Sequence, residues 1–448
     1  MSDLLSLAER VLARTVVGED LEVFVSDRRV TTVRAYDGAV ESLSQAGARG
    51  IGVRVLSAGA FGYAHTTDLT DPGLAGVLAH ARANAAAADP DEANVLPDAA
   101  DAAPLPGLVD PDAATVGPEE KVALALALEA AVRDAGAPVK GVDAAIVGDT
   151  IAHTALVSTR GIAARSDRSE AYCLVEALCE ADGASTSAYG ARLARNPRAL
   201  GIAEAAAEAV ERAARLLGGR KPPSGPVPVV LDPHVTAALL GVLADALTAE
   251  AVQRGRSLFA GRVDERLAPG FVDLVDDGRH PDGPASDARD GEGVPTGRTA
   301  LLRGGVLAGF LHDSRTAARD RVASTGNAVR AGHQGPPSVG PTNLYLAPGT
   351  ATPEEVLAEA GTGFYCQQVM GLHSGADPTS GQLSVGASGL MIRDGVLAEP
   401  VREATIAGTI PDLLAGIVTV GGDFGFVPTA GGVGGQTLLV DGLTLSGA

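Results

Sequence analysis

Gly218–Pro228, GGRKPPSGPVP, is where the chain changes character. Paired glycines and four prolines in eleven residues break the helical pattern before them, so the segment reads as a domain boundary. A long Ala-rich helix precedes it and a fresh apolar run, Val227–Leu231, follows. A chain of 448 residues is long enough for a core on each side.

Upstream, one layout occurs twice. Leu4–Thr15 reads as a helix, then come short strand-like segments at Leu21–Val25, Thr31–Ala35, Ala39–Ser44, Gly50–Leu56 and Ala60–His65, and helix Pro72–Ala87 closes the unit. The second copy has helix Pro118–Ala135, strands near Val139–Val147, Thr154–Ser158, Ala163–Ser166, Glu170–Ala181 and Ser185–Tyr189, and helix Ala199–Leu217. Between them, from Ala88 to Pro118, a stretch rich in Ala, Asp and Pro has no sustained period and is expected to wander over the surface.

Downstream, a helix is expected over Val235–Arg254, and the chain turns mainly β from Thr296 onward. Three segments share a hairpin signature: Leu301–Leu307 around Gly304-Gly305, Met391–Leu397 around Asp394-Gly395, and Leu438–Thr444 around Asp441-Gly442. The expected fold class is α+β. Residues 1–220 form an N-terminal domain of two similar helix–β-meander–helix halves (1–88 and 118–217). Residues 227–448 form a mainly antiparallel β domain with a few helices.

A net charge of −20 repels a polyanion, and no run of Lys or Arg is long enough for a basic face, so no nucleic-acid partner is expected. The three cysteines, Cys173, Cys179 and Cys366, form no CxxC pair and read as reduced core thiols. The N-terminal MSDLLSLAERVLARTV lacks a signal-peptide layout, and no apolar stretch reaches the ~20 residues that span a bilayer. The expected location is cytoplasmic, away from membranes.

Candidate chemistry is sparse. No two of the eight histidines are close enough to share a helical face, so no HExxH-type zinc motif exists. There is no GxSxG elbow and no Walker lysine in Gly421–Gly435. The acidic stretch Asp273–Asp290 does not match EF-hand spacing. Arg330, His333 and His373 fall in Gly-rich loops, where binding residues concentrate, and are the substrate-binding candidates.

An ordered series of C-terminal segments nevertheless has a family look: Arg254–Gly261 (RGRSLFAG), Glu292–Thr296 (EGVPT), Leu301–Asp313 (LLRGGVLAGFLHD), Ser324–Asn327 (STGN), Asn343–Gly349 (NLYLAPG), Ser380–Ser384 (SGQLS), Ala404–Gly408 (ATIAG) and Ile417–Asp423 (IVTVGGD). The series resembles the TldD/PmbA family, whose two branches pair into a heterodimeric protease. In the catalytic TldD branch, the helix after the first C-terminal strand carries HExxxH and a Cys near the C-terminus completes the metal site. Here that helix reads Ala237–Glu250 (AALLGVLADALTAE) and the tail Phe424–Gly435 has no Cys. The resemblance therefore implies the TldE/PmbA-like branch, with no catalytic or metal residue in this chain. It further implies a TldD-like catalytic partner supplying a zinc-type metal, a homodimer as the alternative assembly when alone, and extended peptides or peptide-derived natural products as substrate. Two other readings stand beside it: an independent hydrolase with a site assembled from His234, His312, His333 or His373, and a homo-oligomeric peptide-binding protein.

Overall fold

The structure, a computed structural model, describes residues 4–447, so residues 1–3 and 448 of the two expected domains lie outside the described residues. The N-terminal half is built on one antiparallel sheet of six strands: β1 (Glu19–Tyr36), β2 (Ala39–Ser57), β3 (Ala60–Thr66), β4 (Val139–Ser158), β5 (Ala163–Ala181) and β6 (Ala184–Ala194). Their order is β3-β2-β1-β4-β5-β6, so each half contributes a three-strand meander and the halves join along β1 and β4.

The strands are longer than their apolar segments suggest. Leu21–Val25 and Thr31–Ala35 belong to one strand although Arg28 and Arg29 between them are exposed. Hydrogen bonding to β2 and β4 on either side carries β1 through that polar middle. Its odd-numbered residues all point one way. Leu21, Val23 and Val25 pack under α1 (Leu4–Leu12) and α2 (Asp71–Ala87), while Val33 and Ala35 pack under α3 (Pro118–Arg133) and α4 (Ile202–Arg215). Cys173 and Cys179 of β5 are buried in the second of these cores, and burial pushes the Cys173 thiol up to about 11.

The C-terminal half holds an eight-stranded sheet ordered Ile417–Val420, Leu438–Val440, Val229–Leu231, Gly363–Met370, Gln382–Arg393, Val396–Thr409, Thr444–Gly447, Gly225–Pro226. Within it only Val229–Leu231 and Phe364–Cys366 pair in parallel. A smaller sheet contains Leu274–Asp277, Arg298–Arg303, Val306–Leu307 and Leu344–Leu346. Helix α5 (Pro233–Ala246) shares one apolar core with both sheets, with Leu240 and Leu243 among side chains such as Leu231, Leu274, Leu344 and Phe364.

Three expectations are corrected. The helix read over Val235–Arg254 is two helices, because Thr248 caps a new one, Ala249–Gln253, by accepting from Ala251 N. The Ala88–Pro118 segment has little regular structure but does not wander: it is a strap held by bonds such as Ala99 N to Arg160 O and by Asp91 against Arg315 and Arg319, with Ala93 and Leu96 buried. The hairpins at Gly304-Gly305 and Asp394-Gly395 form, with positive φ at both turn residues. Asp441-Gly442 makes no hairpin. Only Gly442 has positive φ, and the strands on either side of it have four other strands between them in the sheet.

Candidate functional site

Because the helices cover the odd face of β1, its even residues, Glu22, Phe24 and Ser26, face the other way, toward the C-terminal half. Register places Arg54 and Ser158 beside Glu22, Gly52 and Leu156 beside Phe24, and Gly50 and Thr154 beside Ser26, with Ser166 and Arg168 following on β5. Two loops of the C-terminal half, around Asp287–Gly293 and Ala328–Gln334, come down on this face. They leave two adjoining hollows of about 570 Å³ and 370 Å³ that share Phe24, Ser166, Arg168 and Arg330 among their walls.

One end of the junction is closed by a buried charge network. Arg54 donates to Glu22 at 2.5 Å and to Glu292 at 2.7 Å. Arg330 pairs with the other Glu22 oxygen, donates to Gly291 O at 2.5 Å, and lies 4.7 Å from the Phe24 ring centroid. Glu292 also accepts from Ser314 N at 2.9 Å. Burial works against the Arg54 charge, but Glu22 and Glu292 outweigh it and hold the guanidinium above its ordinary value. Burial likewise raises the Glu292 carboxyl, and Arg54 with Ser314 more than offsets this, leaving it below the usual range.

Asp290 behaves oppositely. Burial and the neighbouring Glu292 push it up to about 7, against the pull of N–H bonds from Glu292, Val294 and Ala328. A raised folded-state value means stability that is complete below the unfolded carboxylate value of ~4 and is lost as pH rises through about 7. Asp290→Asn should therefore flatten the melting profile over that window relative to the parent protein; identical profiles in thermal scans from pH 4 to 8 would contradict it.

Two of the three loop candidates meet here. Arg330 lines both hollows, and His333 lines the smaller one with its Nδ1 2.9 Å from Ser26 Oγ and its backbone oxygen accepting from Tyr63 at 2.8 Å. The His333 ring lies directly over Gly50, where a Cβ would sit 2.2 Å from Nε2. Burial, then His65, lowers its imidazole below the usual range. His373 is elsewhere, exposed on the short helix Leu372–Gly375, and lines neither hollow. Ser26, Arg165, Arg168 and Arg289 were not singled out in the sequence. A signal was available for Ser26 alone: polar residues at even positions of β1, opposite an apolar odd face, mark a face that is not bare core.

His234 and His312 do not join His333. His234 bonds Glu208 at 2.9 Å and meets Tyr189 edge-on, while His312 O accepts from Ser324 and Thr325. Among the described residues no three His, Cys, Asp or Glu side chains are grouped to hold a metal ion. The place where α5 meets the tail is equally unsuited. Gly435 packs so closely on the helix that a Cβ there would lie 1.9 Å from Pro233 O and 2.9 Å from Ala237 N. The residues present at that contact do not fit a metal.

Comparison with known proteins agrees with this architecture. TldE from Thermococcus kodakarensis superposes with a TM-score of 0.88 over 99% of both chains at 20% identity, which establishes the shared fold. The PmbA/TldA metallopeptidase family matches in three parts, its domain 1 over residues 21–85, its central domain over 111–217 and its C-terminal domain over 224–447. The chain belongs to the PmbA/TldA metallopeptidase family. It is 27% identical over 413 residues to the metalloprotease PmbA of Escherichia coli O157:H7, covering 90% of this chain and 87% of that one. It is 33% identical over 224 residues to a metalloprotease of Methanothermobacter thermautotrophicus, where the matched stretch spans about half of each chain, 48% and 47%. Among the described residues, no helix is long and apolar enough to cross a membrane.

Proposed function

We propose that this chain is the metal-free, non-catalytic subunit of a two-subunit cytoplasmic peptidase. A TldD-like partner supplies the zinc-type metal, and the substrates are unfolded peptides or peptide-derived natural products. The observation that carries this reading is the closed contact between α5 and the tail. Two elements that would have to offer ligands to one ion instead meet through the backbone of Gly435, and the α5 side chains Leu239, Leu240 and Leu243 are committed to the core. Family membership supports a role in peptide hydrolysis, and this chain's part in it is to complete a chamber and hold substrate. Extended peptides suit such a role because backbone hydrogen bonding to a strand edge makes little demand on sequence.

The test has two arms. The chain purified alone should carry no stoichiometric zinc, and native mass spectrometry after co-expression with a TldD-like homologue from the same genome should show a mixed complex. Stoichiometric zinc retained by the lone chain would overturn the reading, and so would failure to form the mixed species.

A further inference from the structure

The larger hollow is locally basic on a chain of net charge −20: four arginines, Arg165, Arg168, Arg289 and Arg330, line it against two aspartates, Asp287 and Asp290. The acids are already engaged. Both Asp290 oxygens accept backbone N–H groups, and Asp287 Oδ2 accepts from Ser166 at 2.6 Å. Arg165 is spent on Asp167, and Arg168 on the carbonyls of Pro284 and Ser286.

Two guanidinium groups keep capacity. Arg289 makes one hydrogen bond, to Gly293 O at 2.8 Å, and pairs with no carboxylate among the described residues. Arg330, whose side chain is only 3% exposed, has a buried Nη1 with no hydrogen-bond partner. A buried N–H donor left without an acceptor is costly, and a ligand oxygen would relieve that cost. The remaining wall is apolar, with Phe24, Leu156 and Val329 beside small alanines. The volume, about 570 Å³, is in the range of small-ligand sites.

We infer that this hollow binds a peptide through a carboxylate, which docks on Arg289 with the Arg330 guanidinium beside it, while an adjacent apolar side chain lies on Phe24 and Leu156. Two sources offer that group, the end of a peptide main chain and an Asp or Glu side chain. Arginine suits either, because its planar donors match a carboxylate. An acidic protein with a positive hollow also draws an anion to that place, and the attraction weakens as salt rises. The site lies wholly within this chain, so it stands whether or not a catalytic partner exists.

Isothermal titration of the full chain with three N-acetylated peptides tests it: one ending in leucine as the free acid, the same peptide as the C-terminal amide, and an amide carrying one internal glutamate. The free acid should bind with an affinity that falls as salt rises, and the simple amide roughly ten- to a hundred-fold more weakly. Binding of the glutamyl amide would support the carboxylate site and assign it to side chains. Equal binding of acid and simple amide, or no binding of any peptide, would overturn the inference. Arg289→Met should weaken the acid by a similar factor and Arg289→Lys by less. Arg289 is partly exposed with a single hydrogen bond, so both variants should keep the parent's circular dichroism; a folded Arg289→Met with unchanged affinity would also overturn the inference.

Discussion

Replacing Arg54 with methionine is expected to destabilise the protein by about 3–5 kcal/mol, the range for removing one partner of a buried ion pair. The side chain stands between Glu22 and Glu292 with almost no exposure. Without it, two buried carboxylates share one remaining guanidinium, Arg330, which is bound to Glu22. Attraction inside the network matters less here than the charge left behind, because methionine fills much of the volume while offering Glu292 only the Ser314 N–H. The loss should appear as an earlier urea midpoint, and hydrogen exchange should quicken first in the loop around Asp290–Val294, where the two halves meet. A midpoint shift equivalent to less than ~1 kcal/mol would mean that the network relaxes or takes in water.

Arg212→Met is expected to cost a comparable ~3–5 kcal/mol at a different joint. Arg212 on α4 pairs with Asp232 at 2.6 Å and donates to Gln367 O at 2.9 Å, while Asp232 also accepts from Tyr365 at 2.7 Å and caps α5 through His234 N at 2.9 Å. The substitution strands a buried aspartate that is also a helix cap. A double variant, Arg212→Met with Asp232→Asn, keeps a competent cap and removes the charge. It should therefore recover part of the loss in a double-mutant cycle. If the double variant is as unstable as the sum of the two single ones, stranded charge is not the cause. Because chains with more than one core need not unfold in a single step, each joint is best followed by local exchange as well as by the global transition.

Local chemistry was legible in the sequence. The Gly304-Gly305 and Asp394-Gly395 turns were readable because two residues that accept positive φ define a tight hairpin by themselves. Asp441-Gly442 has the same letters, yet its outcome is decided by pairing with strands far away in sequence, which no local pattern encodes. The strand breaks expected near Arg28 and Gly47 did not occur because sheet neighbours, not side-chain burial, hold the backbone there. The site divides in the same way. Arg330 and His333 stood out in a Gly-rich loop, but Glu22 and Ser26, their partners about 300 residues earlier, belong to the site only because β1 turns its even face to that loop. Arg165, Arg168, Arg289 and Arg330 form no run, so this basic hollow of an acidic chain exists only once β5 and two loops converge on β1.

The unusual turn at Asp441-Gly442 also sets an order of events during synthesis. Strand Val229–Leu231 sits between Phe364–Cys366 and Leu438–Val440, so it has neither neighbour until the ribosome has moved more than 130 residues onward, and lacks the second until it has moved more than 200. At roughly 5–20 residues per second that delay is on the order of ten to forty seconds. The six-stranded sheet, complete by Ala194, closes long before. The newborn chain thus spends that interval with a finished first half and an apolar Val229-Val230-Leu231 segment unpaired, the state in which a nascent chain most needs chaperone cover.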